Sequence, residues 1–204
     1  MTTTMLAPVA MNAFPTTAVG RPRLIALEGG PAPAEIGGTY SKIVSAAVDN
    51  SGDTVFSASL SDSSASSAIL LKSGDTTRVL LRSGDKAPDG STYKRFDEVD
   101  KSFYGFNGVD TALMLFRADL EGASASEGLF LMKPDGVQAI ALAGGKSPRG
   151  FAYKSFSQPT LITEHSNRGL EWTLTFIGLM EEGNKSIVNL GNYVFDKPNP
   201  TPAR

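Results

Sequence analysis

The stretch Thr111-Ala112-Leu113-Met114-Leu115-Phe116-Arg117-Ala118-Asp119-Leu120 occurs three times in altered form. Sixty residues upstream runs Asp53-Thr54-Val55-Phe56-Ser57-Ala58-Ser59-Leu60, and sixty downstream runs Thr173-Leu174-Thr175-Phe176-Ile177-Gly178-Leu179-Met180. Phe56, Phe116 and Phe176 fall in register, as do Ala58, Ala118 and Gly178, then Leu60, Leu120 and Met180. A fixed period of this size marks a repeat architecture, in which each unit buries its apolar face against its neighbour.

Working outward from that stretch, each unit opens on a Gly/Pro turn. Gly29-Gly30-Pro31-Ala32-Pro33 aligns with Gly84-Asp85-Lys86-Ala87-Pro88 and with Gly144-Gly145-Lys146-Ser147-Pro148. A tyrosine strand follows at Tyr40, Tyr93 and Tyr153, then the phenylalanine strand. A third apolar run comes at Ala68–Leu71, Gly128–Leu131 and Ser186–Val188, and a fourth at Arg78–Leu81, Gln138–Leu142 and Tyr193–Phe195. Four alternating runs joined by tight Gly/Asp/Ser/Pro turns read as consecutive hairpins. Tyrosine and phenylalanine are 16 residues apart in the first unit and 23 apart in the other two. The extra residues lie around Ser102–Val109 and Leu161–Arg168, expected as loops protruding on one face.

The resulting fold class is all-β, with three tandem four-stranded units forming propeller-like blades; the alternative is a β-trefoil. Strands apolar on both sides, as in the third runs, belong to sheets sandwiched between other sheets. Three blades do not close a ring, since propellers take about four to eight. The expected division is an extended arm over 1–22, units at 23–82, 83–142 and 143–196, and a proline-rich tail over 197–204. Arg23–Leu27 reads as a short strand, placed like the last strand of an absent preceding blade or added to the last one.

Composition narrows the chemistry. The 204 residues carry 19 basic and 21 acidic side chains, a formal charge of −2, with no basic run to follow a phosphate backbone. There is no cysteine, and His165 is the single histidine, so thiolate chemistry and multi-histidine metal sites are excluded. No apolar run approaches the ~20 residues that span a bilayer. Residues 1–20 have no charged side chain and Pro8 interrupts their apolar centre, so the positive start of a secretory signal is missing. These features favour the cytoplasmic side over the cell surface.

The Gly-Asp-x-Ala-Pro unit at Gly84–Pro88, the tyrosine strand, the turn at Asn50-Ser51-Gly52-Asp53 and the Phe-x-Ala-x-Leu strand resemble the bacterial tandem-repeat proteins called choice-of-anchor. That resemblance covers about Leu24 to Phe195 and implies propeller-like repeats in a surface or exported protein. It implies no catalytic residues.

Motifs with chemical overtones have plainer readings. Gly144-Gly145-Lys146-Ser147 lacks the upstream glycine of a phosphate-binding loop and reads as a turn. Asp49–Asp53 resembles the start of a calcium loop, but Leu60 stands where a bidentate Glu is needed, so a hairpin turn is expected. His165, beside Glu164 and Ser166, reads as a surface histidine on an inserted loop. Asp97-Glu98 and Glu181-Glu182 could form a glycosidase pair only across a cleft, and they read as solvated surface.

The binding candidates are Leu6, Val9, Met11 and Phe14 on the arm, spaced for a peptide-in-groove contact, and the aromatic residues Phe103, Tyr104 and Phe106. The expected function is a non-catalytic structural or interaction protein, an accessory or scaffold subunit. It would dock to other protein subunits or to a second copy through the arm and inserted loops, with no metal, cofactor, nucleic acid or membrane insertion. The alternative is a lectin-like propeller that binds carbohydrate on the aromatic loops.

Overall fold

Alternating apolar residues between Gly-rich turns leave the chain no 3.6-residue stripe to bury, so it pairs as strands. The structure, a computed structural model, describes residues 23–48, 52–99, 104–106, 109–122, 124–133, 135–166 and 169–196. Among them there is no helix. Sheet 1 comprises β1 (Thr39–Val48), β2 (Thr54–Ser61), β3 (Ser67–Ser73) and β4 (Thr76–Arg82) in that spatial order. Sheet 2 orders β5 (Thr92–Val99), β7 (Val109–Glu121), β8 (Glu127–Lys133) and β9 (Gly136–Leu142), with β6 (Tyr104–Phe106) paired to β7. Sheet 3 holds β10 (Tyr153–Ser166), β11 (Gly169–Met180) and β12 (Lys185–Asp196). Every pairing is antiparallel, and each sheet is an all-neighbour meander, as in a propeller blade.

The repeat survives down to single hydrogen bonds. Gly29, Gly84 and Gly144 donate their N–H to the carbonyls of Tyr40, Tyr93 and Tyr153 at 2.7, 2.9 and 2.7 Å. The next residue of each turn accepts in return, from Tyr40, Tyr93 and Tyr153 to Gly30, Asp85 and Gly145. All three leading glycines have φ between 80° and 96°, a conformation that costs a Cβ-bearing residue energy. A bulge then follows each tyrosine, at Tyr40/Lys42, Tyr93/Arg95 and Tyr153/Ser155. Bulges add local twist, and β5 and β10 lie against the sheet that precedes them.

The sheets stack, and the alternation of each strand assigns one face to each neighbour. Val55, Ile69 and Leu71 of sheet 1 bury against Tyr93, Phe96, Phe116 and Phe130 of sheet 2. The opposite face of sheet 2, Leu113, Leu115, Leu129 and Leu131, buries against Tyr153, Phe156, Phe176 and Val188 of sheet 3. The aromatic face of sheet 1, with Tyr40, Phe56 and Leu70, is covered by Ile25, Ala26, Ala32 and Ile36 from the segment before β1. Position 178 is a glycine because the Tyr153 ring of the same sheet lies over it. A Cβ on Gly178 would stand 2.5 Å from the Tyr153 ring.

Four expectations change. The third and fourth runs of the last unit do not fold as two strands; they form the single β12, which pairs β11 along its length from Lys185 to Asp196. The Leu161–Arg168 insertion is no protruding loop; through Ser166 it lengthens β10, which pairs with β11. Residues 104–106 and 109 of the other insertion likewise pair as a short hairpin. Arg23–Leu27 joins no ladder; it lies on the face of sheet 1, with Ile25 and Ala26 packed into its core.

Candidate functional site

The polar chemistry gathers where one sheet meets the next. At the joint between sheets 1 and 2, Ser57 Oγ donates to the Asp97 carbonyl at 2.6 Å, and Ser67 Oγ accepts from the Phe96 N–H at 3.2 Å. Sixty residues on, the same positions are Arg117 and Glu127. Arg117 Nη1 donates to the Phe156 carbonyl at 2.9 Å, and Glu127 Oε1 accepts from the Phe156 N–H at 2.8 Å. Each joint therefore ties side chains of a central strand pair to the backbone of the bulged first strand that follows.

Around Arg117 the ties extend into an ion network. Its Nη2 lies 3.2 Å from Asp97 Oδ2, while Arg95 reaches Asp97 at 3.2 Å and Asp119 at 2.9 Å. The Asp97 side chain is only 13% exposed, so its expected place on solvated surface is corrected: burial beside two guanidinium groups requires pairing. Burial pushes the Glu127 carboxyl above its ordinary range, opposed by the Phe156 N–H and by Arg117, and aided by Asp119 and Asp97. Asp97, Asp119 and Glu127 are thus engaged by guanidinium groups or by backbone, whereas Arg117 Nε and, next to Asp97, Glu98 Oε2 are buried without a hydrogen-bond partner. Among the described residues, no group of three or more His, Cys, Asp or Glu is placed to hold a metal ion.

The candidates taken from the sequence scatter. Leu6, Val9, Met11, Phe14 and Phe103 lie outside the described residues. The backbone of Tyr104 pairs with Leu113 and that of Phe106 with Val109, so both sit on the β6–β7 hairpin. The backbone of His165 pairs with Leu170, within a strand and not on a loop. Glu181 and Glu182 are exposed at a turn, and Gly144–Ser147 is a turn with the Gly145 N–H bonded to the Leu142 carbonyl. The Arg117–Asp97–Glu127 network was missed, although the period places Arg117 and Glu127 opposite Ser57 and Ser67.

Two features remain open at the last sheet. The outer edge of β12 has no strand beside it among the described residues. A groove of about 480 Å³ runs there between sheets 2 and 3, floored by Ile140, Leu142, Tyr153, Phe176 and Val188. A second groove of about 590 Å³ lies along the same strand, lined by Phe151, Met180, Ser186 and Ile187 among others. The Ser186 hydroxyl is buried with no hydrogen-bond partner. Ile187 is 78% exposed.

A stack of repeated antiparallel sheets tied at polar joints defines an all-β repeat protein. The chain belongs to a family of unknown function, DUF7453, whose match covers residues 10–183. No curated protein and no solved structure matches it.

Proposed function

We propose that the chain is a non-catalytic structural subunit that docks into a larger protein assembly through the N-terminal arm and the inserted hairpins. The observation that carries this reading is the distribution of unsatisfied surface. Arg95, Arg117, Asp119 and Glu127 around Asp97 pair with one another or with backbone, whereas large apolar side chains stand exposed towards the two ends of the stack. Leu24 and Leu27 flank sheet 1, and Phe151, Ile162 and Ile187 belong to the sheet 3 end. Apolar surface left at the ends of a repeat stack suits association with another protein.

The test is the native mass of the particle in extract, for the full chain and for a chain lacking residues 1–22. A large heteromeric particle that sheds the truncated chain supports the subunit reading. A free particle whose mass and partners are unchanged by truncation overturns it.

A further inference from the structure

In sheets 1 and 2 the fourth strand has two apolar sides with different destinations. Ala139 and Leu142 of β9 pack into the joint before their sheet, and Ile140 and Ala141 pack into the joint after it. The turn that follows β9 aligns Leu142 with Leu27, since Gly145 and Gly30 donate to those two carbonyls at the same 2.9 Å. Leu24, Ile25, Ala26 and Leu27 therefore stand where Ala139, Ile140, Ala141 and Leu142 stand in sheet 2. Ile25 and Ala26 follow the pattern and pack into the core of sheet 1. Leu24 and Leu27, whose place is the preceding joint, have no such joint and are 71% and 60% exposed.

Sheet 3 has the converse vacancy. Its fourth strand is missing because β12 continues along β11 instead of turning back. The space is the 480 Å³ groove, with Tyr153, Phe176 and Val188 on one side and Ile140 and Ala141 on the other. One end of the molecule is a fourth strand without a sheet, and the other is a sheet without a fourth strand.

We propose that residues 23–27 of a second copy of this chain fill the fourth-strand position beside β12, with Leu24 and Leu27 entering the groove. The chain's own segment cannot do so. It is held on sheet 1 by Ile25 and Ala26 and by the Arg23 guanidinium on the Gly74 carbonyl. Sheet 3 lies two sheet spacings away, roughly 20 Å. The contact is head-to-tail, and such contacts build rings or open chains. Two copies joined at both ends would carry six sheets, within the ~4–8 blades at which propellers close.

The repeat also specifies the register. In sheet 2, Gly128 faces Leu142, Phe130 faces Ala139, and Leu131 faces Gln138. By equivalence Ser186 faces Leu27, Val188 faces Leu24, and Asn189 faces Arg23. Directly opposed residues of antiparallel strands stand ~4.5–5.5 Å apart, within reach of a disulfide.

The chain has no cysteine, so paired single substitutions report the contact without background. Arg23→Cys and Asn189→Cys are made in separate full-length chains, mixed and mildly oxidised, with Arg23→Cys plus Ile187→Cys as the out-of-register control. The expected result is a covalent dimer from the first mixture, largely absent from the control. Leu24→Asp with Leu27→Asp, both at exposed positions, is expected to abolish it while leaving the circular dichroism spectrum unchanged. Absence of the dimer in the first mixture, equal yield in the control, or a monomeric native mass at all concentrations would overturn the proposal. This deepens the subunit reading and rests on it for the premise of assembly, yet the two fail separately. Loss of the cross-link with arm-dependent particles intact removes only the second-copy contact.

Discussion

The two joints of the stack do the same work with different chemistry. Between sheets 1 and 2 the ties are the hydroxyls of Ser57 and Ser67; between sheets 2 and 3 they are the guanidinium of Arg117 and the carboxylate of Glu127. A serine can bond the next sheet only where the backbones approach closely, while Arg and Glu span a wider gap. The second joint brings charge into a half-buried place, and charge there must be paired by Arg95, Asp97 and Asp119. The lesson is that one repeat position tolerates a neutral or an ionic tie provided the following backbone is satisfied. Of the two ties, only the ionic one should then respond to pH in the range where carboxyl groups titrate.

Substitutions can break this comparison in descending order of effect. Phe116, fully buried among Tyr93, Phe96 and Phe130, anchors the first joint, and Phe116→Ala should cost about 3–5 kcal/mol in urea unfolding. A loss below ~1 kcal/mol would show that the aromatic cluster is not the core of the stack. Arg117→Ala should cost about 1.5–3 kcal/mol, because it strips both the Phe156 carbonyl and Asp97 of a charged donor. Its neutral counterpart Ser57→Ala should cost only about 1 kcal/mol, and equal losses would remove the distinction between the joints.

Glu127 sharpens the comparison through pH. Its carboxyl titrates above the ordinary range in the folded chain, so between those two values the folded state binds more protons than the unfolded state. Its contribution to stability therefore falls as pH rises through that window. Glu127→Gln keeps an acceptor for the Phe156 N–H and should flatten this part of the stability profile. Parallel profiles for the two proteins would show that Glu127 is not the titrating group.

The smallest expected change is at Tyr93, whose hydroxyl is buried without a partner. Burial, with Asp89 and Asp85 nearby, pushes it far above its ordinary value of 10.0. Tyr93→Phe should be neutral or stabilising by up to about 1 kcal/mol at pH 7. It should also abolish a stability loss that the parent shows as pH climbs above the ordinary tyrosine value, since there the unfolded chain releases the proton first. A destabilised phenylalanine variant would reveal a hydrogen bond to that hydroxyl.

Much of the fold was legible because a repeat states its own boundaries three times. The turns at Gly29, Gly84 and Gly144, the tyrosine strands and the buried Phe56, Phe116 and Phe176 stand where the alignment puts them. The inserted residues were not legible as strands. A polar stretch such as Thr163-Glu164-His165-Ser166 has no alternation of its own, and it pairs because β11 runs opposite it. The ionic joint was hidden for a related reason. Asp97 and Glu127 are thirty residues apart, and a lone carboxylate in sequence reads as surface until the partner that neutralises it is known.

The amino-acid order by itself determined the period, the strand-and-turn grammar and the apolar positions, since these follow from side-chain alternation and from the conformations that glycine and proline permit. Only the tertiary structure decided which sheet each face meets, how Arg117 and Glu127 replace two serines, and that β12 runs on past its unit to leave a strand position empty. Those outcomes depend on side chains and backbone groups distant in sequence satisfying one another between sheets, and no local pattern encodes which groups will meet.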